Sequence, residues 1–184
     1  MRRNLLPTPV GTLITWWSPR GLFRTHLLAD DESGAAKRDE LGPFDEWDER
    51  SERLQHELQQ LYTTGTWHWD LAWHDWSAVT TFHRQCLQAC FAIPMGATIS
   101  YGDLARRIHR PRAGRAVGRA MATNRWPLVI PCHRVVGADG KLHGYSGDGG
   151  VATKSQLLVR ERWLTCQLGF TQSTPAEPDN ATAR

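Results

Sequence analysis

Residues 102–122, GDLARRIHRPRAGRAVGRAMA, read as helix, turn, helix. Gly102 to Ile108 carries a helical pattern. Pro111, in Arg110-Pro111-Arg112-Ala113, cannot continue that helix and restrains the residue before it. Gly114 to Ala122 restarts the pattern, with Ala116, Val117 and Ala120 as its expected apolar side. Two short helices across a tight turn are the helix-turn-helix pattern. Working upstream, Ile99-Ser100-Tyr101 leads into it. A preceding helix, capped by Thr80 or Thr81, is expected to run to about Ile93 and to bury Phe82, Cys86, Cys90 and Ile93. Pro94 and Gly96 end that helix. Downstream, Leu128-Val129-Ile130 reads as a short buried strand leading to Pro131-Cys132-His133-Arg134, and Lys154 to Arg162 as a last helix.

The first part of the chain differs in character. Thr12–Trp17 and Leu22–Leu28 read as a β-hairpin turned at Ser18-Pro19-Arg20-Gly21. Residues 29–43 are acidic and read as a loop. Residues 45–62 read as a helix, with Trp47, Leu54, Leu58 and Leu61 at helical spacing. Residues 65–76 carry Trp67, Trp69, Trp73 and Trp76, and the Trp67/Trp69/Leu71 alternation predicts a strand. Four tryptophans can form a ligand cage, but filling the seam between two domains is the preferred reading. The expected fold is therefore an α/β N-terminal domain (small sheet plus helix, residues 1–76) followed by a mostly α C-terminal domain with the helix-turn-helix (77–170). A polar tail, 171–184, has too little apolar content to order itself.

Bulk properties agree with one ordinary domain or two small ones. The chain has 184 residues, 40% of them hydrophobic, with a mean hydropathy of −0.49. No apolar run approaches the ~18 residues needed to cross a membrane, and the charged start lacks a signal-peptide stretch. A cytoplasmic protein without membrane association is expected. Cys86, Cys90, Cys132 and Cys166 form no CxxC pair, which suits reduced thiols rather than disulfides or a metal site. The net charge of +3 hides an asymmetry. Residues 30–60 hold eleven acidic against four basic residues, whereas 101–165 hold twelve basic against four acidic. Local positive charge of that size favours a polyanion.

Cys132 next to His133 is the candidate nucleophile site. Only a thiolate attacks efficiently, so a base or a positive charge must assist. Neighbours on an extended chain face opposite ways, so a bridging water is expected between thiol and imidazole. A lone cysteine after three apolar residues is more often core. Gly144-Tyr145-Ser146-Gly147 could approach a ligand closely. Glu161 could orient His133 in a Cys-His-Glu arrangement, although taken alone it reads as a surface residue paired with Arg160 or Arg162. Arg106, Arg107, Arg110, Arg112, Arg115, Arg119 and Arg125 fall within twenty residues and point to phosphate binding. The second helix presents small residues, Ala113, Gly114, Gly118 and Ala122. These read few base edges but let a helix lie close in a narrow groove.

These motifs resemble the O6-alkylguanine-DNA alkyltransferase (methylated-DNA–protein-cysteine methyltransferase) family. Ile130-Pro131-Cys132-His133-Arg134-Val135 is similar to its active-site motif. Ile99 to Ala105, Arg115-Ala116-Val117-Gly118, Asn124, Tyr145-Ser146-Gly147 and Leu157-Leu158 follow in the family's order, over roughly Thr80 to Trp163. Residues 8–76 resemble its variable N-terminal domain only weakly. The resemblance implies a monomer that binds double-stranded DNA through the minor groove, flips an O6-alkylguanine, and transfers the alkyl group to its own cysteine. It implies that Arg115 fills the gap in the stack and that Tyr101 donates to guanine N3. Cys132 would attack with help from His133 and Glu161. Asn124 would hold the turn behind the cysteine, while Tyr145, Ser146 and Val135 would line the base pocket. Ala113, Gly114, Gly118, Arg112, Arg119 and Arg125 would face DNA. No metal or organic cofactor is implied.

The sequence departs from the family pattern in two places. Arg125 replaces the usual proline after the asparagine. Ser146-Gly147-Asp148-Gly149-Gly150 is longer than the usual loop, which could widen the pocket rim but reads rather as a longer surface turn. The main alternative is a non-catalytic alkyl-damage-binding relative, in which the cysteine is commonly replaced. A helix-turn-helix regulator would leave Cys132, Tyr101 and Glu161 unexplained, and a cysteine hydrolase would leave the arginines unexplained.

Overall fold

The computed structural model describes residues 1–29 and 31–169. Three antiparallel strands, β1 (Arg2–Thr8), β2 (Gly11–Ser18) and β3 (Gly21–Leu27), form a sheet in that order. The expected hairpin is β2–β3, with Leu13 opposite Leu27 and Ser18 opposite Gly21. β1 was not foreseen from its short Leu5-Leu6-Pro7 run. It pairs along β2 from Arg2–Trp17 to Thr8–Gly11, and its edge position tolerates Pro7, which has no N–H to give to a ladder.

Residues 29–43 are not simply a loop, because α1 (Glu32–Glu40) lies within them. Its apolar content is too low to show periodicity; capping sustains it instead. The Asp31 carboxylate accepts from the Ser33 and Gly34 N–H groups. Gly34 is required there, since a Cβ would fall 1.9 Å from the Ala29 carbonyl oxygen. Helix α2 (Glu49–Thr64) begins at a capping box between Asp48 and Ser51 and stops at Gly65, at φ 74°. Its buried Leu54, Leu58, Leu61 and Tyr62 join Leu6, Leu13, Trp17, Leu22 and Leu27 in the core.

The tryptophan-rich segment is not a strand. It forms two 3₁₀ turns, Leu71–Trp73 and Trp76–Ala78, capped by Asp70 and Asp75. Alternation failed as a signal because these side chains are placed by long-range packing and the backbone is held by local caps. Trp69 meets Trp17 edge-on at 6.4 Å, while Trp76 and His74 pack on Trp126 at 4.8 and 4.6 Å. The Trp126 indole N–H donates to the Leu22 carbonyl at 2.8 Å. The segment thus fills the seam between the sheet and the helical half.

The helical half contains α3 (Thr81–Phe91), β4 (Ile99–Ser100), α4 (Tyr101–Arg107), α5 (Gly114–Ala122), β5 (Val135–Val136) and α6 (Gly150–Gln167). Thr80 caps α3 and Ser100 caps α4. α4 ends with His109 at φ 58°, and the Arg110 N–H returns to the Ala105 carbonyl at 2.8 Å. α5 buries Val117, Ala120 and Met121, and Ala116 is exposed rather than part of that face. α6 is twice the length of the expected Lys154–Arg162 helix.

Leu128–Ile130 is buried but not extended. The Ile130 N–H closes a turn onto the Trp126 carbonyl at 2.8 Å, and Leu128 takes φ 73°. Apolar character marked burial correctly, but prolines 127 and 131 flank too few residues to make a ladder strand. The strand pairing lies later: β4 runs parallel to β5, with Ile99 beside Val135. No helix among the described residues is long and apolar enough to cross a membrane. The 171–184 tail lies outside the described residues.

Candidate active site

Cys132 begins a 3₁₀ turn, Cys132–Arg134, with its Sγ 3.8 Å from Ser146 Oγ. It is 4% exposed, so the thiol is sheltered yet not sealed. Burial pushes its pKa up, and polar contacts from Asn124 and Ser146 and the charge of Lys154 oppose that rise. The 3₁₀ turn, unlike a strand, lets the next side chain dive into the core.

His133 is fully buried, and its Nε2 lies 2.7 Å from Glu161 Oε1. Glu161 is equally buried, and so is not the surface residue that its arginine neighbours implied. Arg134 grips it at both oxygens, Nε to Oε2 at 2.9 Å and Nη2 to Oε1 at 2.8 Å. The Gly96 N–H and Tyr62 hydroxyl also donate to it, at 3.2 and 3.4 Å. Burial would raise the Glu161 carboxyl, but the His133 and Arg134 charges hold it well below the usual range. Burial also pulls the His133 pKa down against the pull of Glu161. A neutral imidazole beside an ionised carboxylate donates its Nε2–H to it. Nδ1 then carries the free lone pair, and it is buried with no protein partner.

Asn124 closes the turn behind the cysteine. Its amide donates to the Ile130 carbonyl and its Oδ1 accepts the Trp126 N–H, both at 3.0 Å. Val135 is fully buried under the site. Tyr145 meets the His133 ring edge-on at 6.3 Å. Tyr101 is half-buried at the start of α4, and burial raises its hydroxyl pKa.

A groove of about 410 Å³ opens along α5. Tyr101, Arg115 and the small residues Gly114, Gly118 and Ala122 of α5 line it, facing His143 and Gly144. Ala113 is half-buried at the head of that helix. A Cβ on Gly118 would rest 3.8 Å from the Tyr101 ring, so α5 sits close on α4. Arg106, Arg107, Arg110, Arg112, Arg115 and Arg119 are exposed on this half. Arg125 departs from them: its guanidinium lies over the Phe23 ring of β3 at 3.9 Å.

Residue reasoning missed Lys154, Tyr62, Arg134 and His143. Lys154 is 1% exposed and its Nζ donates to the Val135 carbonyl at 2.7 Å. Its spacing held a signal: Lys154, Leu157, Glu161 and Leu164 fall on one helical stripe, and all four are buried. Two charges on an apolar stripe mark a site rather than a surface. Tyr62 lies ninety-nine residues from Glu161 and gave no such signal. Among the described residues, no group of three or more His, Cys, Asp or Glu is placed to hold a metal.

The architecture defines a class: a helix-turn-helix half that buries a cysteine, a histidine and a glutamate and carries a groove along its second helix. Residues 81–163 match the family model described as 6-O-methylguanine DNA methyltransferase, DNA binding domain. A methylated-DNA–protein-cysteine methyltransferase of Salmonella typhimurium is 48% identical over 85 residues, 46% of this chain and 48% of that protein. The bifunctional transcriptional activator/DNA repair enzyme Ada of Escherichia coli is 51% identical over 82 residues, 45% of this chain and 23% of Ada. The chain thus matches about half or less of the length of these curated relatives. The crystal structure of Mycobacterium tuberculosis O6-methylguanine methyltransferase superposes with a TM-score of 0.69 at 27% identity, covering 96% of both chains. A DNA complex of the same protein covers 89% of this chain, also with a TM-score of 0.69. Over residues 81–163 the chain is similar to the DNA-binding domain of O6-methylguanine DNA methyltransferases, and over nearly its whole length it shares the fold of the Mycobacterium tuberculosis protein.

Proposed function

We propose that this protein repairs DNA by moving an alkyl group from O6 of guanine onto Cys132, once per molecule. The observation that carries this reading is a sheltered thiol next to a buried His133–Glu161 pair, with Tyr101 both near that thiol and lining a groove of small α5 residues. Double-stranded DNA is the partner, bound by a monomer in the cytoplasm. The exposed arginines meet phosphates, and the short side chains of α5 let it lie in the minor groove. Arg115 projects from the start of α5 and fills the stack when the damaged base turns out, at a cost of a few kcal/mol.

The thiol proton passes through a bridging water to His133 Nδ1, and the resulting imidazolium is stabilised by Glu161. The Sγ–carbon bond forms as the carbon–O6 bond breaks. The electron pair stays on guanine, where the Tyr101 hydroxyl donates to N3. Asn124 holds the turn that aims Sγ, while Ser146 and Tyr145 cover the base over Val135. The product is a thioether with no easy leaving group, so Cys132 is not regenerated.

Intact-protein mass after incubation with duplex DNA containing O6-methylguanine tests the reading. One methyl per molecule, mapped to Cys132, is expected. No added mass on a folded, reduced protein that still binds this DNA would replace the reading with damage binding alone.

A further inference from the structure

The long loop after Ser146 neither widens the groove nor hangs free as a surface turn. Asp148 stands at its centre with its polar groups engaged. Its N–H donates to the Leu27 carbonyl at 3.1 Å, and its carbonyl accepts the Thr153 hydroxyl at 2.6 Å. Its Oδ1 accepts from both His26 Nε2 and Lys37 Nζ at 2.8 Å. These contacts reach β3, α1 and α6 at once. The His26 end is shielded, with a side chain 9% exposed, whereas Lys37 is 41% exposed. The hydrogen bond to His26 is therefore the firmer half, and the Lys37 contact adds a charge partner that water partly screens.

Little slack separates this anchor from the reacting thiol. Ser146, two residues earlier, holds its Oγ 3.8 Å from Cys132 Sγ. Between them, a Cβ on Gly147 would fall 2.6 Å from the Tyr145 ring, so the loop is folded tightly over that side chain. Gly149 turns through φ 73°, where a Cβ would fall 2.4 Å from Thr153 Oγ1. A shift at Asp148 thus passes directly to Ser146 and Tyr145.

We propose that Asp148 is a positioning residue: clamped by His26 and Lys37, it fixes the Tyr145–Ser146 loop over Cys132 and sets the rate of alkyl transfer. The proposal rests on the alkyl-transfer reading. It also gives α1 a use, since this helix contributes little to the core and carries Lys37 to the loop.

The test compares Asp148→Ala, Lys37→Met, their combination, and Lys37→Arg as the conservative replacement. Amide hydrogen exchange across residues 145–149, thermal unfolding and the single-turnover rate of Cys132 methylation by O6-methylguanine DNA are measured on each. Asp148→Ala should speed exchange in the loop alone and slow transfer about tenfold, the scale expected of a sub-ångström misplacement. The double variant should be no slower than Asp148→Ala, and Lys37→Arg should match the wild type. Wild-type transfer in Asp148→Ala overturns the proposal, as does a slowdown accompanied by faster exchange throughout the sheet. A wild-type protein that never gains a methyl refutes the proposed function itself, and the positioning role falls with it. A wild type that gains one at the same rate as Asp148→Ala refutes the positioning role alone.

Discussion

Lys154 Nζ lies 2.7 Å from the Val135 carbonyl oxygen and 5.8 Å from the centre of the Tyr101 ring, so a buried cation underlies both the thiol and the phenol of the site. Its charge favours the Cys132 thiolate, against the burial that disfavours it. Lys154→Met should raise the thiol pKa further and slow transfer at neutral pH about tenfold, the effect of one unit in thiolate fraction. The pH dependence of iodoacetamide labelling of Cys132 measures this directly. An unchanged profile would remove Lys154 from the chemistry.

Cys132→Ala should abolish transfer and leave DNA affinity within about twofold, because the proposed phosphate contacts are arginines on other elements. Gel-shift titration beside mass spectrometry checks both halves. Residual methylation of the variant would place the nucleophile elsewhere.

Arg115→Ala should slow repair of duplex DNA more than reaction with free O6-benzylguanine, which needs no flipping. A roughly tenfold or greater difference in loss is expected from an unstacking cost of a few kcal/mol. Equal losses in the two assays would argue against a stack-filling role.

Tyr101→Phe should slow transfer modestly, by about tenfold, the scale of one hydrogen bond to developing charge. Rapid-quench kinetics with methylated duplex DNA is the measurement, and a wild-type rate would exclude the hydroxyl.

Acid should unfold the protein through two carboxylates. The Glu161 carboxyl, ordinarily near 4.5, is held well below that by His133 and Arg134 despite burial. Burial would likewise raise Asp75, yet the Ser18 and Ser77 hydrogen bonds and Arg20 bring it from 3.8 down to about 2. A depressed folded-state pKa gives stability that is complete above the unfolded value and is lost as pH falls toward the folded one. Urea midpoints should therefore drop from about pH 4.5 downward, and Asp75→Asn should flatten part of that slope. Glu161→Ala should cost about 3–5 kcal/mol even at neutral pH, because it leaves the Arg134 guanidinium buried without its partner.

The sequence by itself determined what short-range chemistry can specify. Thr80 caps α3, and the turn holding Pro111 separates α4 from α5. The run from Pro131 to Arg134 marked the thiol, and the arginines of 106–119 marked a charged face. Each is written in neighbouring residues, because dihedral limits, caps and helical periodicity act within a few positions. Only the tertiary structure decided which distant groups meet. Glu161 meets His133 across twenty-eight residues, Lys154 reaches Val135 across nineteen, and Asp148 reaches His26 across 122. The tryptophans of 67–76 became turns rather than a strand because their partners, Trp17 and Trp126, lie on other elements. Burial turned an apparently exposed glutamate into the centre of an ionic network. A buried charge must find its partners in space, and no local pattern names them.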